Sequence, residues 1–271
     1  MRQFLRILGV VAAIALLPSS VLMAQEITIA TGKPGGGYDA RARDMATRLE
    51  QRGLDISVVN YNGSDEISLA VCGNRAQIGL MQIDAIYARS LEGCQMRPVG
   101  LYGQEVAVLL FPPRSSIDEL SEMNASHAVL VDTIGSGTDL FWRTIVGIEN
   151  GDDGTRDDWA KARPVNDLLE LAHTQATLGS IHAVLLVRRP DSPDITRLLE
   201  LGWTLGELWD RDINDLQFND GELYLAEDLD IRFRGRDVGD WGYLVRSFIV
   251  TRPEIANGDR QVFAAIAAAA Q

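Results

Sequence analysis

Three times in this chain a β-forming run is followed by a turn of small residues and then by a helix. Glu26 to Ala30 leads into Thr31-Gly32-Lys33-Pro34-Gly35-Gly36-Gly37. Tyr38 to Arg52 then carries Ala42, Met45, Ala46 and Leu49 at helical spacing. Ile56 to Val59 leads into Asn60 to Ser64, and Ser64 is suited to cap the helix Asp65 to Val71. Ala128 to Val131 leads, through Gly135-Ser136-Gly137-Thr138, into the helix Asp139 to Val146. Such alternation predicts an α/β architecture built on parallel sheet. Further strands are expected at Ile78 to Met81, Val99 to Tyr102, Val106 to Phe111, Ala183 to Val187 and Tyr243 to Val250. Further helices are expected at Ala85 to Leu91, Ile117 to Leu120, Asp194 to Leu201 and Pro253 to Ala270. No internal repeat is evident.

In parallel α/β sheets, ligands sit beyond the carboxyl ends of the strands, where helices begin. Free backbone N–H groups and the helix dipole favour an anion there. Glycine lets the main chain approach closely. Thr31, Ser64, Ser136 and Thr138 add hydroxyls that both donate and accept. The first turn lacks the Gly-Lys-Ser/Thr ending of a P-loop, and no dinucleotide fingerprint is present. The 271 residues hold 38 acidic and 25 basic side chains, a net charge of -13, with no basic tract, which argues against nucleic acid as a partner.

Arg2 and Arg6, the apolar run Ile7 to Leu17, the break Pro18-Ser19-Ser20 and Ala24 form an export signal, with cleavage expected after Ala24. Cys72 and Cys94 then reside where disulfides persist, and a bridge is favoured over two buried thiols. The acidic stretch Asn150 to Arg163 lacks the EF-hand spacing and is expected to be an exposed loop. His173 and His182 have no third ligand at metal spacing. No metal, cofactor or catalytic residue is expected.

The run Ile29 to Tyr38 resembles the opening of the TAXI solute receptors, extracytoplasmic subunits of one class of TRAP transporter. The similarity continues in Asn60-Tyr61-Asn62-Gly63-Ser64-Asp65-Glu66, in Gln77 to Ala85, and in Asp132 to Thr138. It covers roughly residues 26–146. His182 stands where the family has an acid, and Lys33-Pro34 and a single Tyr38 depart from its first loop. The resemblance implies a type II periplasmic-binding fold, two α/β lobes joined by two crossing segments near Glu105 to Phe111 and Tyr243 to Val250. Lobe one would be residues 25–108 plus 245–271, and lobe two 109–244. A small carboxylate or amino acid would lie among Thr31, Gly37, Tyr38, Gly63, Ser64, Gln82 and Asp84 on one side and Gly135, Ser136, Gly137 and Thr138 on the other. Asp84 would cap the helix at Ala85 or receive an ammonium group. Arg188 and Arg189 would be a solvated strand end or bind a second carboxylate, and Trp241 would reach the cleft or stay on the surface. The implied protein is a periplasmic, monomeric, non-enzymatic receptor serving TRAP permease subunits. A receptor for a sensor kinase and an exported enzyme on the same fold are the alternatives.

Overall fold

A ten-stranded mixed sheet organises the described residues. The computed structural model describes residues 26–151, 157–258 and 260–271. The expected signal peptide, residues 1–24, and residues 152–156 of the acidic stretch lie outside the described residues.

In chain order the first elements are β1 (Ile27–Thr31), α1 (Gly37–Glu50), β2 (Ile56–Asn60), α2 (Ser64–Cys72), β3 (Ile78–Gln82), α3 (Ile83–Leu91) and β4 (Arg97–Phe111). There follow β5 (Ala128–Leu130), α4 (Gly137–Gly151), β6 (Arg163–Val165), α5 (Ala172–Thr177), β7 (Ala183–Arg188), α6 (Pro193–Glu200), β8 (Thr204–Gly206) and α7 (Arg211–Asp215). Five short strands come next: β9 (Gln217–Phe218), β10 (Gly221–Glu222), β11 (Leu225–Asp228), β12 (Arg232–Phe233) and β13 (Arg236–Asp237). The chain ends with β14 (Trp241–Thr251), α8 (Pro253–Gly258) and α9 (Arg260–Ala269).

The main strand order is β2-β1-β3-β14-β4-β7-β5-β6. β1, β2 and β3 are parallel, as are β5, β6 and β7. Between these two groups lie β4 and β14, antiparallel to each other and to their neighbours. The expected parallel sheet is present as two parallel groups within a mixed sheet. A strand that links two parallel groups must run back across them, and β4 and β14 do this once each. The break expected between Tyr102 and Val106 is also absent, and β4 is one strand of 15 residues. Its start is largely accessible, whereas Val106 to Phe111 is fully buried. β14 divides its partners: Ser247 to Thr251 pair with β3, and Trp241 to Leu244 pair with β11. Residues 103–106 and 244–247 are therefore the passage from one parallel group to the other.

Periodicity placed the core correctly in the first half. α1 buries Ala42, Met45, Ala46 and Leu49 against Ile27, Ile29, Ile78 and Leu80. Burying one such aliphatic side chain stabilises by roughly 1.5–3 kcal/mol. The second group packs Trp142, Trp159, Phe141, Tyr224 and Tyr243 on one face of β4 and β7, and Val108, Leu110, Val184 and Leu186 on the other. Other boundaries differ from expectation. Gly63 caps α2 and Ser64 is its first helical residue. The short helix expected at Ile117 to Leu120 is instead a 3-10 turn at Leu120–Glu122.

Cys72 and Cys94 form a disulfide with a Cα–Cα distance of 5.9 Å. It ties the last residue of α2 to the segment after α3. Closing a loop of this length stabilises by about 3 kcal/mol in the chain-entropy model. Replacing both residues by serine is expected to lower Tm by roughly 6–12 °C, at 2–4 °C per kcal/mol for a chain of this size. Melts with and without reductant check this, since the serine variant should not respond to reductant.

Candidate functional site

A cavity of about 970 Å³ opens between the two parallel groups. Of the expected site residues, Gly37, Tyr38, Gly63, Ser64, Gln82, Ser136 and Gly137 line it. Its floor is the passage on β4 and β14, at Gly103, Gln104, Glu105 and Ser247.

Two walls of the cavity are built by one bonding pattern used twice. In the first turn the Gly35 N–H donates to Asp39 Oδ2 (2.9 Å), as does Arg43 Nε (3.1 Å). Asn60 Nδ2 donates to Asp39 Oδ1 and to the Gly32 carbonyl. In the turn before α4 the Gly135 N–H donates to Asp139 Oδ2 (3.0 Å), as does Arg143 Nε (3.2 Å). Asn166 Nδ2 donates to Asp139 Oδ1 and to the Asp132 carbonyl. The chain thus contains a short repeat, Gly-x-Gly-x-Asp-x-x-x-Arg at 35–43 and 135–143, which corrects the expectation of none. In each copy an aspartate inside the first helical turn accepts the N–H of the leading glycine and so fixes the glycine turn. Gly35 and Gly135 have φ of 77° and 80°, a left-handed conformation that favours glycine. The Arg43 bonds, then the Gly35 N–H and Asn60, hold the Asp39 carboxyl down at about 2. First-turn N–H groups have no partner within their own helix, so α1 and α4 both present donors to the space between them.

The turns meet directly. A Cβ added at Gly63 would lie 2.6 Å from the Gly135 carbonyl oxygen and 2.8 Å from Ser136 Cα. One added at Gly137 would lie 2.4 Å from Gln82 Oε1. Arg143 Nη2 also reaches Asp65 Oδ2 on α2, at 2.7 Å.

Glu105 was missed by sequence reasoning. Its Oε2 accepts from Gln82 Nε2 (2.8 Å), Tyr38 hydroxyl (3.1 Å) and Ser247 hydroxyl (3.2 Å). Burial, and then the Glu105 charge, push the Tyr38 hydroxyl well above its ordinary pKa, so it stays a donor. Gln82 is 3% exposed and its Oε1 has no hydrogen-bond partner. Tyr102 stacks edge-on against Tyr38 at 5.1 Å and borders the same space.

Thr31, Asp84, Gly135 and Thr138 do not line the cavity, whereas Arg188 and Arg189 do. Thr138 Oγ1 accepts from the Val187 N–H and Arg188 Nη1. Thr31 is fully buried and its Oγ1 has no partner. Gly135 abuts Glu66. Asp84 is fully buried, accepting from the Tyr224 hydroxyl (3.2 Å) and the Ala85 N–H (2.9 Å). Arg188 lines the cavity but is paired with Asp132 (2.5 Å) and Asp194 (3.0 Å). Arg189 is exposed and paired with Asp191. Trp241 is exposed on the surface, opposite Asp228.

No protein-family model matches the chain, and no curated protein matches it in sequence. Among solved structures it is similar to the periplasmic aliphatic sulphonate binding protein SsuA from Escherichia coli. The TM-score is 0.50 at 15% identity, over 90% of this chain and 68% of that one. The fold is that of the two-lobed periplasmic substrate-binding proteins. An ancestral arginine-binding protein bound to arginine aligns with TM-score 0.49 at 13% identity, over 90% of each chain. A nutrient binding protein from Burkholderia cenocepacia bound to methionine aligns with TM-score 0.44 at 11% identity, over 90% of this chain and 91% of that one. The fold assignment rests on the first of these. No helix among the described residues is long and apolar enough to cross a membrane.

Proposed function

We propose that the chain is a periplasmic solute-binding protein for a zwitterionic amino acid. The carrying observation is the placement of one carboxylate, Glu105, on a cavity floor between two helix N-termini. The ligand's carboxylate meets the N–H groups of Gly37 and Gly137 and the Ser136 hydroxyl. Its ammonium meets Glu105 and the unpartnered Gln82 Oε1. Residues 25–108 with 245–271 form one lobe and 109–244 the other, and they close by bending at the passage on β4 and β14. The protein is exported after cleavage behind Ala24, acts as a monomer, and delivers its ligand to TRAP-type permease subunits. The last assignment is supported by the TAXI-like motifs at 29–38, 60–66, 77–85 and 132–138.

Calorimetry with the twenty amino acids and their des-amino acids tests the ligand class. Glu105→Gln keeps the shape and removes the charge. It is expected to weaken amino-acid binding at least tenfold, about 1.4 kcal/mol, and to leave des-amino acids unaffected. Equal losses for both classes, or no amino-acid binding by ligand-stripped wild type, would sink the assignment.

A further inference from the structure

None of Glu149, Asp210 and Asp212 lines the cleft. Glu149 belongs to the last turns of α4. Asp210 caps α7, its Oδ1 accepting from the N–H groups of Asp212 and Ile213. Asp210 Oδ2 accepts from Trp159 Nε1 at 3.1 Å. One carboxylate oxygen from each of the three residues lies within 4.8 Å of the others. We propose that these three carboxylates bind one calcium ion.

Proximity alone does not carry this, since acidic side chains often gather on surfaces. The deciding feature is Glu149. It is 2% exposed, and its Oε1 is enclosed with no hydrogen-bond partner. Its Oε2 accepts the Asp157 N–H, at 3.2 Å. A buried carboxylate oxygen without a donor is costly unless a proton or a cation satisfies it. Among the described residues the cation paired with the trio is Arg211, on Asp212, and its side chain is 79% exposed. Burial and the charges of Asp210, Asp157 and Asp212 push the Glu149 carboxyl up, so a proton and a metal ion compete for one place. All the donors are hard oxygens, which select calcium, magnesium or manganese over zinc or copper. Asp210 is locked by three N–H donors and cannot adjust to a strict octahedron, and calcium tolerates irregular geometry. Asp212 borders a second cavity, of about 740 Å³, beside Gly147 and Ile148, which supplies an entry path and room for waters. With three protein carboxylates and the rest water, the expected Kd is about 10⁻⁴–10⁻³ M, as in extracellular modules. Bound there, the ion pins the end of α4 to α7, at the opposite end from the turn that lines the cleft.

Terbium, which replaces calcium at oxygen sites, tests this on the purified protein. Trp159 sits against Asp210 and sensitises terbium emission when its indole is excited. Saturable emission that calcium displaces is expected. Glu149→Gln and Asp212→Asn should each weaken terbium binding at least tenfold. Calcium should raise the Tm of wild type and leave that of both variants unchanged. Absence of saturable emission into the millimolar range overturns the proposal. So does wild-type affinity in Asp212→Asn, whose partly exposed site makes it the safer variant to fold.

Discussion

Asp84→Asn is expected to stabilise the protein at pH 8 and to leave it unchanged at pH 4. Asp84 is fully buried behind the cavity wall. Burial pushes its carboxyl up to about 7, against the hydrogen bonds from Tyr224 and Ala85, and the Glu105 charge adds to the rise. An unfolded chain releases this proton near pH 3.9. Between those values the folded protein binds a proton that the unfolded chain has lost, so stability falls as pH rises. The contribution is complete below about pH 4 and is gone above about pH 7. Three units of pKa correspond to about 4 kcal/mol at most. Asparagine mimics the protonated acid: one oxygen accepts the Ala85 N–H, and the amide donates to Tyr224, whose hydroxyl turns to accept. A gain of a few kcal/mol at pH 8 corresponds to roughly 5–10 °C in Tm. Melts of both proteins at pH 4, 6 and 8 read the difference directly. A gap that does not widen with pH would mean that Asp84 is ionised in the fold at every pH tested.

Gly63→Ala is expected to abolish tight ligand binding while barely changing the ligand-free protein. Gly63 has φ 176° and ψ -170°, extended backbone that alanine adopts without strain. Nothing within its own lobe therefore demands glycine. The demand comes from across the cavity, where the new methyl would meet the Gly135 carbonyl at 2.6 Å. A backbone atom there cannot swing aside as a side-chain tip does. If the free protein opens, alanine costs within about 0.5 kcal/mol of its stability, as for an ordinary surface change. Closure on the ligand then meets the clash, and affinity falls at least a hundredfold, about 2.8 kcal/mol. Paired melts and calorimetry separate the cases. A stability loss in the free protein equal to the loss in binding would mean that the turns already touch without ligand, and the hinge reading would fail. Unchanged affinity would mean that the turns need not meet at all.

Local signals carried the α/β character and the turns. β1, α1, α2, β3, β7 and α6 fall within three residues of the positions expected from periodicity and capping residues. Other features depended on distant chain and were not legible. Glu105 sits in a stretch with no motif, and gains its place only when β14 brings Ser247 alongside, 142 residues away. The antiparallel run of β4 and β14 has the same strand composition as a parallel one; only their partners distinguish the two. Two-residue strands such as β9 and β12 carry too little pattern to register. The doubled Gly-x-Gly-x-Asp-x-x-x-Arg turn was present in the letters. Its sense came from Asn60 and Asn166, which complete the two copies from dissimilar distances downstream.

The floor of the cavity stands on the same two strands that join the lobes. In a body that swings about β4 and β14, points on the axis move least. Glu105 and Ser247 are thus near the pivot, whereas Gly63 and Gly137 ride at the ends of the lever arms. A ligand that settles first on Glu105 meets a surface already in its final shape. Under the proposed function, the glycine turns then supply the large displacement of closure. Affinity for the first encounter and the amplitude of the motion are therefore set by separate residues, and substitutions can tune one without the other.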